Sequence, residues 1–191
     1  MTRKFDQGKA VPVTVIEAMP NVVVGLKSQA KDGYNSVVIG AGTKKESKIN
    51  KPLKGQLIAS KSTPCIIKES CFDNVADVKP GDKVDVSQFE VGDKIKVSAV
   101  TKGKGFSGVI KRHSFHRGPE THGSDHHRAP GSIGGGYPQR VILGKKMPGH
   151  LGAKSATQKN IEVLEVMKED NLLLLKGSIP GANKSWVIIK S

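Results

Sequence analysis

VPVTVIEAMPNVVVGLK, residues 11 to 27, decides the fold class. β-Branched and polar side chains alternate through Val11–Ala18, a Pro20-Asn21 turn follows, and the alternation resumes over Val22–Lys27. A period of two belongs to half-buried strands, and two such runs joined by a short turn predict a hairpin with Val15 in the core. Working outward, Asp32-Gly33 marks a turn before a strand at Tyr34–Ile39. Lys79-Pro-Gly-Asp82 and Val91-Gly-Asp93 bracket short strands at Val84–Phe89 and Ile95–Val100. Asn50 and Pro52 have the cap and early-proline chemistry of a helix start, so a short helix is expected at roughly 50–60. Alternation returns in Ile161–Met167, Leu172–Lys176 and Trp186–Ile189, separated by Asp170-Asn171 and Pro180-Gly181 turns. Many short strands between turns predict a mainly β fold, a small antiparallel barrel with one or two short helices.

The middle of the chain has a different composition. Of 31 Lys and Arg against 17 Asp and Glu, net +14, residues 101–160 hold 11 basic and 2 acidic side chains, net +9. All six histidines and 12 of the 22 glycines also fall there, which leaves too little apolar surface to offset the entropy of ordering. The expected organisation is therefore a discontinuous β-barrel domain, residues 1–100 plus 154–191, from which a basic loop at 101–153 projects. A loop of about 50 residues without a core is outside the usual range unless it is functional. Its charge attracts a polyanion, and nucleic-acid phosphate is the commonest one in a cytosol; a solvated basic loop has the same composition.

Other classes are disfavoured. No apolar run approaches the roughly 18 residues that span a bilayer, and MTRKFDQGKAV lacks the apolar region of a leader, so a cytoplasmic protein is expected. Cys65 and Cys71 cannot make a disulfide framework and, beside Ile66, Ile67 and Phe72, are expected to fill the core.

Two chemistries compete within the loop. Gly103, Gly105 and Gly108 match G-x-G-x-x-G after a strand, but Val109-Ile110 runs into Lys111-Arg-His113 with no crossover helix or second parallel strand, as a dinucleotide site requires. Glycines that let backbone approach phosphates, with Lys102 and Lys104 alongside, fit better. His122 and His126 would share a face only on a helix, which Gly118, Pro119, Gly123 and Pro130 oppose. Only Glu120 and Asp125 could then assist a metal. The alternative to nucleic-acid binding is a metal- or nucleotide-dependent enzyme using this His- and Gly-rich loop, but nothing in it requires catalysis. No cofactor and no metal is expected.

The stretches Thr101-Lys-Gly-Lys-Gly-Phe106, Lys111-Arg-His113, Thr121-His-Gly123, His127-Arg128, Pro130-Gly-Ser-Ile-Gly134, Arg140-Val141 and Gly144-Lys-Lys-Met-Pro-Gly149 resemble the universal large-subunit ribosomal protein three family, bacterial type. The resemblance continues through Val11–Glu17, Asp32-Gly-Tyr34, Asn50-Lys-Pro52 and Asn171–Leu174, nearly the whole chain. It implies a translation-protein-type β-barrel on the large ribosomal subunit, no enzymatic activity, and a finger reaching through ribosomal RNA toward the peptidyl transferase centre. It also implies a part in early subunit assembly. The implied partners are the large-subunit ribosomal RNA and neighbouring ribosomal proteins, with no membrane and no small-molecule substrate.

By position, the finger tip corresponds to His122–Arg140 and its stem to Lys102–Arg112 and Lys145–His150. Lys102, Lys104, Lys111, Arg112, Arg128, Arg140, Lys145 and Lys146 are the candidates for phosphate contacts, and Arg117 and Lys154 are further RNA-binding candidates. His113, His116, His122, His126, His127 and His150 are candidates for bases or sugars. Three departures stand out. The chain starts at Met1-Thr-Arg3 without the Gly- and Lys-rich residues most bacterial members carry first, implying a reduced first strand or a late start. Lys96 replaces the usual Asp or Asn, and His150 stands where some members have a methylated glutamine.

Overall fold

The computed structural model describes residues 1–6, 8–71 and 78–190, without the side chain of Asp6. Its strands are β1 (Thr2–Asp6), β2 (Lys9–Glu17), β3 (Asn21–Lys27), β4 (Ser36–Ala41), β5 (Ile66–Cys71), β6 (Lys83–Val84), β7 (Lys94–Val100), β8 (Phe106–Ser107), β9 (Gly149–His150), β10 (Ser155–Met167), β11 (Leu172–Lys176) and β12 (Val187–Lys190). Three short helices join them: α1 (Gln29–Asp32), α2 (Lys51–Leu57) and α3 (Val109–His113). The molecule is mainly β and antiparallel with few helices, as expected.

The chain divides into two compact units, the first made of residues 1–95 and 159–178, the second of 96–158 and 179–190. Within the first, strands lie in the order β1-β2-β11-β10, and a separate sheet has the order β5-β4-β3-β6. Val13, Ile16, Leu173, Leu175, Ile161 and Val163 are buried along the first of these. β11 pairs with β2 from Leu172↔Glu17 to Lys176↔Val13, which sets buried Thr14 and Ile16 opposite Leu175 and Leu173 on one face and leaves buried Val13 on the other. Opposed side chains on one face are the unit of sheet stabilisation. α2 starts where Asn50 and Pro52 predict it, although the Asn50 side chain makes no cap bond. It is held by burial instead, with Leu57 against Val24 and Ile49.

Four expectations are corrected. β2 and β3 are strands, but not a hairpin: β2 pairs with β1 and β11, β3 with β4 and β6. A turn signal is local, whereas β2 has both edges occupied by strands that bury Val13 and Ile16. Val15, two residues along the same face from buried Val13, is 45% exposed. Of the expected Val84–Phe89 strand only Val84 pairs, in the two-residue strand Lys83–Val84; the chain then turns through a 3-10 helix at Val86–Gln88 that buries Val86. Cys65 and Cys71 are both exposed, at the ends of β5, and the Cys65 thiol donates to Thr43 O at 3.1 Å. Phe72 lies outside the described residues. The strand β5, which pairs with β4 along its length, has no counterpart in the sequence reading.

Ion pairs lace the first unit. Lys27 meets Glu69 at 2.7 Å and Tyr34 donates to the same carboxylate at 3.0 Å; Lys176 meets Glu162 at 2.6 Å. Lys27, then Tyr34, holds the Glu69 carboxyl below its ordinary range, and Lys176 does the same for Glu162. A folded-state carboxylate pKa below the unfolded value contributes stability above the unfolded pKa, and that contribution disappears as pH falls through the folded one. The melting temperature of Glu69→Gln/Glu162→Gln should therefore fall less steeply than that of the parent on acidification below the ordinary carboxylate range. Parallel slopes would show that the pairs carry no linkage. In denaturant melts, Leu173→Ala should cost about 2–5 kcal/mol, whereas Val15→Ala, at a largely exposed position, should stay within about 0.5 kcal/mol of the parent.

Candidate RNA interface

The second unit carries 13 Lys and Arg against 2 Asp and Glu, net +11, while the first carries 18 against 15, net +3. Its buried apolar side chains are Val97, Ala99 and Val109. From Ser114 to Pro148 there is neither helix nor strand, and no side chain in that stretch belongs to the core. A segment with so little apolar burial cannot offset its ordering entropy internally.

Its two ends are tied together. The Thr101 amide donates to Lys154 O at 2.9 Å, the Thr101 hydroxyl to the same oxygen at 3.1 Å, and the Ala153 amide returns a bond to Thr101 O at 3.2 Å. Further along, the Lys104 amide donates to Leu151 O and the Leu151 amide to Gly105 O, both at 2.9 Å. β8 then pairs with β9, Phe106 opposite His150 and Ser107 opposite Gly149. Gly152 makes this closure possible: its φ is +79°, and a Cβ there would sit 2.1 Å from Lys102 O.

Beyond the pairing, α3 is only five residues long and ends at Ser114 in the left-handed region. It opens no crossover, in keeping with the rejection of a dinucleotide site. Two of its residues turn back on the return strand: Arg112 Nη1 donates to Met147 O at 2.6 Å and His113 Nε2 donates to the same oxygen at 3.0 Å. Gly149 leaves room for the guanidinium, since a Cβ there would be 2.8 Å from Nη1. Deeper in the loop, the Gly118 amide donates to His127 O at 3.0 Å and His127 Nδ1 donates to Pro119 O at 2.8 Å. Arg117 pairs with Glu120.

The sequence-derived candidates thus sort by geometry. Lys102, Lys104, Lys111, His116, His122, His126, Arg128, Arg140, Lys145, Lys146, His150 and Lys154 are exposed. Arg112 and His113 are half-buried and clamp the stem, His127 is spent on the loop's own backbone, and Arg117 is exposed beside an acid. No group of three His, Cys, Asp or Glu able to hold a metal occurs among the described residues. Sequence reasoning missed the clamp residues Thr101, Gly152 and Met147; the glycine run near the loop's end was their only trace. Gly152→Ala should cost about 1–3 kcal/mol through the left-handed backbone alone, with faster amide exchange at Lys104 and Leu151. Gly103→Ala, whose Cβ would meet only Ala153 Cβ at 3.9 Å, should leave both unchanged.

Comparison with known proteins agrees with this picture. A profile of the ribosomal protein L3 family matches residues 70–171. The whole chain is 50% identical to the large ribosomal subunit protein uL3 of Carboxydothermus hydrogenoformans, covering 92% of that protein. It is 47% identical to the protein of the same name from Streptococcus mutans, again over 92% of it. The identity to that of Pelotomaculum thermopropionicum is 46%, over 91% of its length.

Proposed function

The chain belongs to the ribosomal protein L3 family, structural proteins of the large ribosomal subunit and not enzymes, and from that premise we propose that it binds large-subunit ribosomal RNA directly. In this reading residues 1–100 and 154–191 form the barrel-type body. Residues 101–153 are a finger that enters folded RNA toward the peptidyl transferase centre and helps the subunit assemble early, beside neighbouring ribosomal proteins. The observation that carries it is the stretch 114–148: without helix, strand or core, and lying in a unit with 13 cations and 2 acids. Ribosomal RNA would supply the burial and the counter-charge that the chain lacks. Lys102, Lys104, Lys111, Arg128, Arg140, Lys145, Lys146 and Lys154 would meet phosphates; His116, His122, His126 and His150 would meet bases and sugars. Arg112, His113 and His127 would act by holding the finger's shape.

Filter binding of the full chain to large-subunit ribosomal RNA and to an unrelated RNA of equal length, titrated with salt, tests this. A preference for the ribosomal RNA that survives near-physiological salt is expected. Equal affinity, collapsing for both as salt rises, would reduce the loop to a basic surface. Arg128→Ala and Arg140→Ala should each lower the slope of log K against log salt by about 0.7–0.9, with thermal stability within about 0.5 kcal/mol of the parent. A loss of stability equal to that of Leu173→Ala would defeat the assignment.

A further inference from the structure

Outside the finger, the second unit presents a sheet face whose chemistry the loop does not explain. β12 pairs with β7 in the register Val187↔Ala99, Ile188↔Ser98 and Lys190↔Lys96, and Trp186 and Val100 are the next residues beyond the first of these pairs. Opposed residues share a face and alternate residues point the same way, so Ile188 and Lys190 stand in one row against Ser98 and Lys96, with Trp186 and Val100 exposed just beyond its end. The next strand continues the face, Ser98 Oγ lying 2.7 Å from Thr157 Oγ1. The opposite face is the covered one, with Val97 and Ala99 buried. Trp186 is 54% exposed, Val100 58% and Ile188 38%. At the other end Lys96 and Lys190 are exposed and directly opposite each other, a like-charge arrangement that destabilises a sheet unless an anion lies between the two. None of the described residues of β7, β12 or Ser155–Gln158 is acidic.

We propose that this face is a second RNA-binding surface, on which an unpaired ribosomal RNA base stacks on Trp186 while Lys96 and Lys190, at the other end of the face, take a phosphate further along the same strand. The proposal rests on the RNA-binding reading above and adds a site to it. An exposed indole on an open sheet with cations further along it is the arrangement by which single strands are held, stacking supplying sequence-tolerant affinity and the cations tracking the backbone. A protein partner would need the two lysines matched by acids; the excess of positive charge in this unit, net +11, favours a polyanion.

Trp186 is the chain's single tryptophan, so its fluorescence reports on this face alone. Titrating the full chain with a short single-stranded RNA from the large-subunit sequence should quench the emission saturably, and inorganic polyphosphate at equal charge should not. Trp186→Ala should weaken binding of that RNA by about 5-fold or more, Trp186→Phe much less. Lys190→Gln should weaken RNA binding yet leave the free chain equally or more heat-stable, which a merely structural lysine would not do. RNA retained on filters with Trp186 emission unchanged, or equal quenching by polyphosphate, would overturn this site and leave the finger reading intact. Quenching by purified large-subunit proteins but not by RNA would overturn it in favour of a protein partner. Failure of the parent chain to prefer ribosomal RNA at all would overturn both readings.

Discussion

The architecture depends on closing the ends of a segment that cannot fold by itself. Thr101 and Lys154 exchange three hydrogen bonds counting the threonine hydroxyl as both donor and acceptor, and Gly152 brings its backbone against Lys102 O where any side chain would collide. Joining residues so far apart in sequence costs loop-closure entropy that grows only slowly with length. A few well-made hydrogen bonds and one glycine therefore suffice to launch and recover a long loop from a β scaffold. Arg112 and His113 extend the closure by donating to a single carbonyl, that of Met147. Two side chains of the family-matching segment thus shape the loop.

Charge is partitioned along the same division. In the first unit, cations find carboxylates: Lys4 with Glu165, Lys27 with Glu69, Lys54 with Glu46, Lys176 with Glu162. Exposed pairs of this kind contribute little stability individually, but they neutralise the surface. In the second unit the ion pair among the described residues is Arg117 with Glu120, so most of its cations keep their full field for a partner. In the proposed reading this partition gives an apolar β body and an unneutralised basic portion that RNA would complete.

Much of this was legible in the chain. Alternation located β2, β3, β7, β10, β11 and β12, because period-two burial is a local property of a strand with one buried face. Composition located the coreless segment, because the lack of apolar residues is additive and needs no geometry. Pairing was not legible: Pro20-Asn21 looks like a hairpin turn, yet β2 is paired by Leu172–Lys176, more than 150 residues away, with Ile16 opposite Leu173. Nor could Arg112 be told from Arg128. Both are arginines in a basic loop, and only the position of Met147 O separates a clamp from a free cation.

The sequence by itself determined the fold class, the family and the place of the basic segment, all of which follow from local periodicity, summed composition and co-linear motifs. The tertiary structure alone decided which strands pair, which cations remain unspent, that Cys65, Cys71 and Val15 are exposed, and that Trp186 is exposed at one end of a strand pair whose other end opposes Lys96 and Lys190. The physical reason is the same in each case. Burial and hydrogen-bond partnership are properties of pairs of residues brought together across long sequence separations, and a pattern read along one strand carries no information about which other strand will cover it.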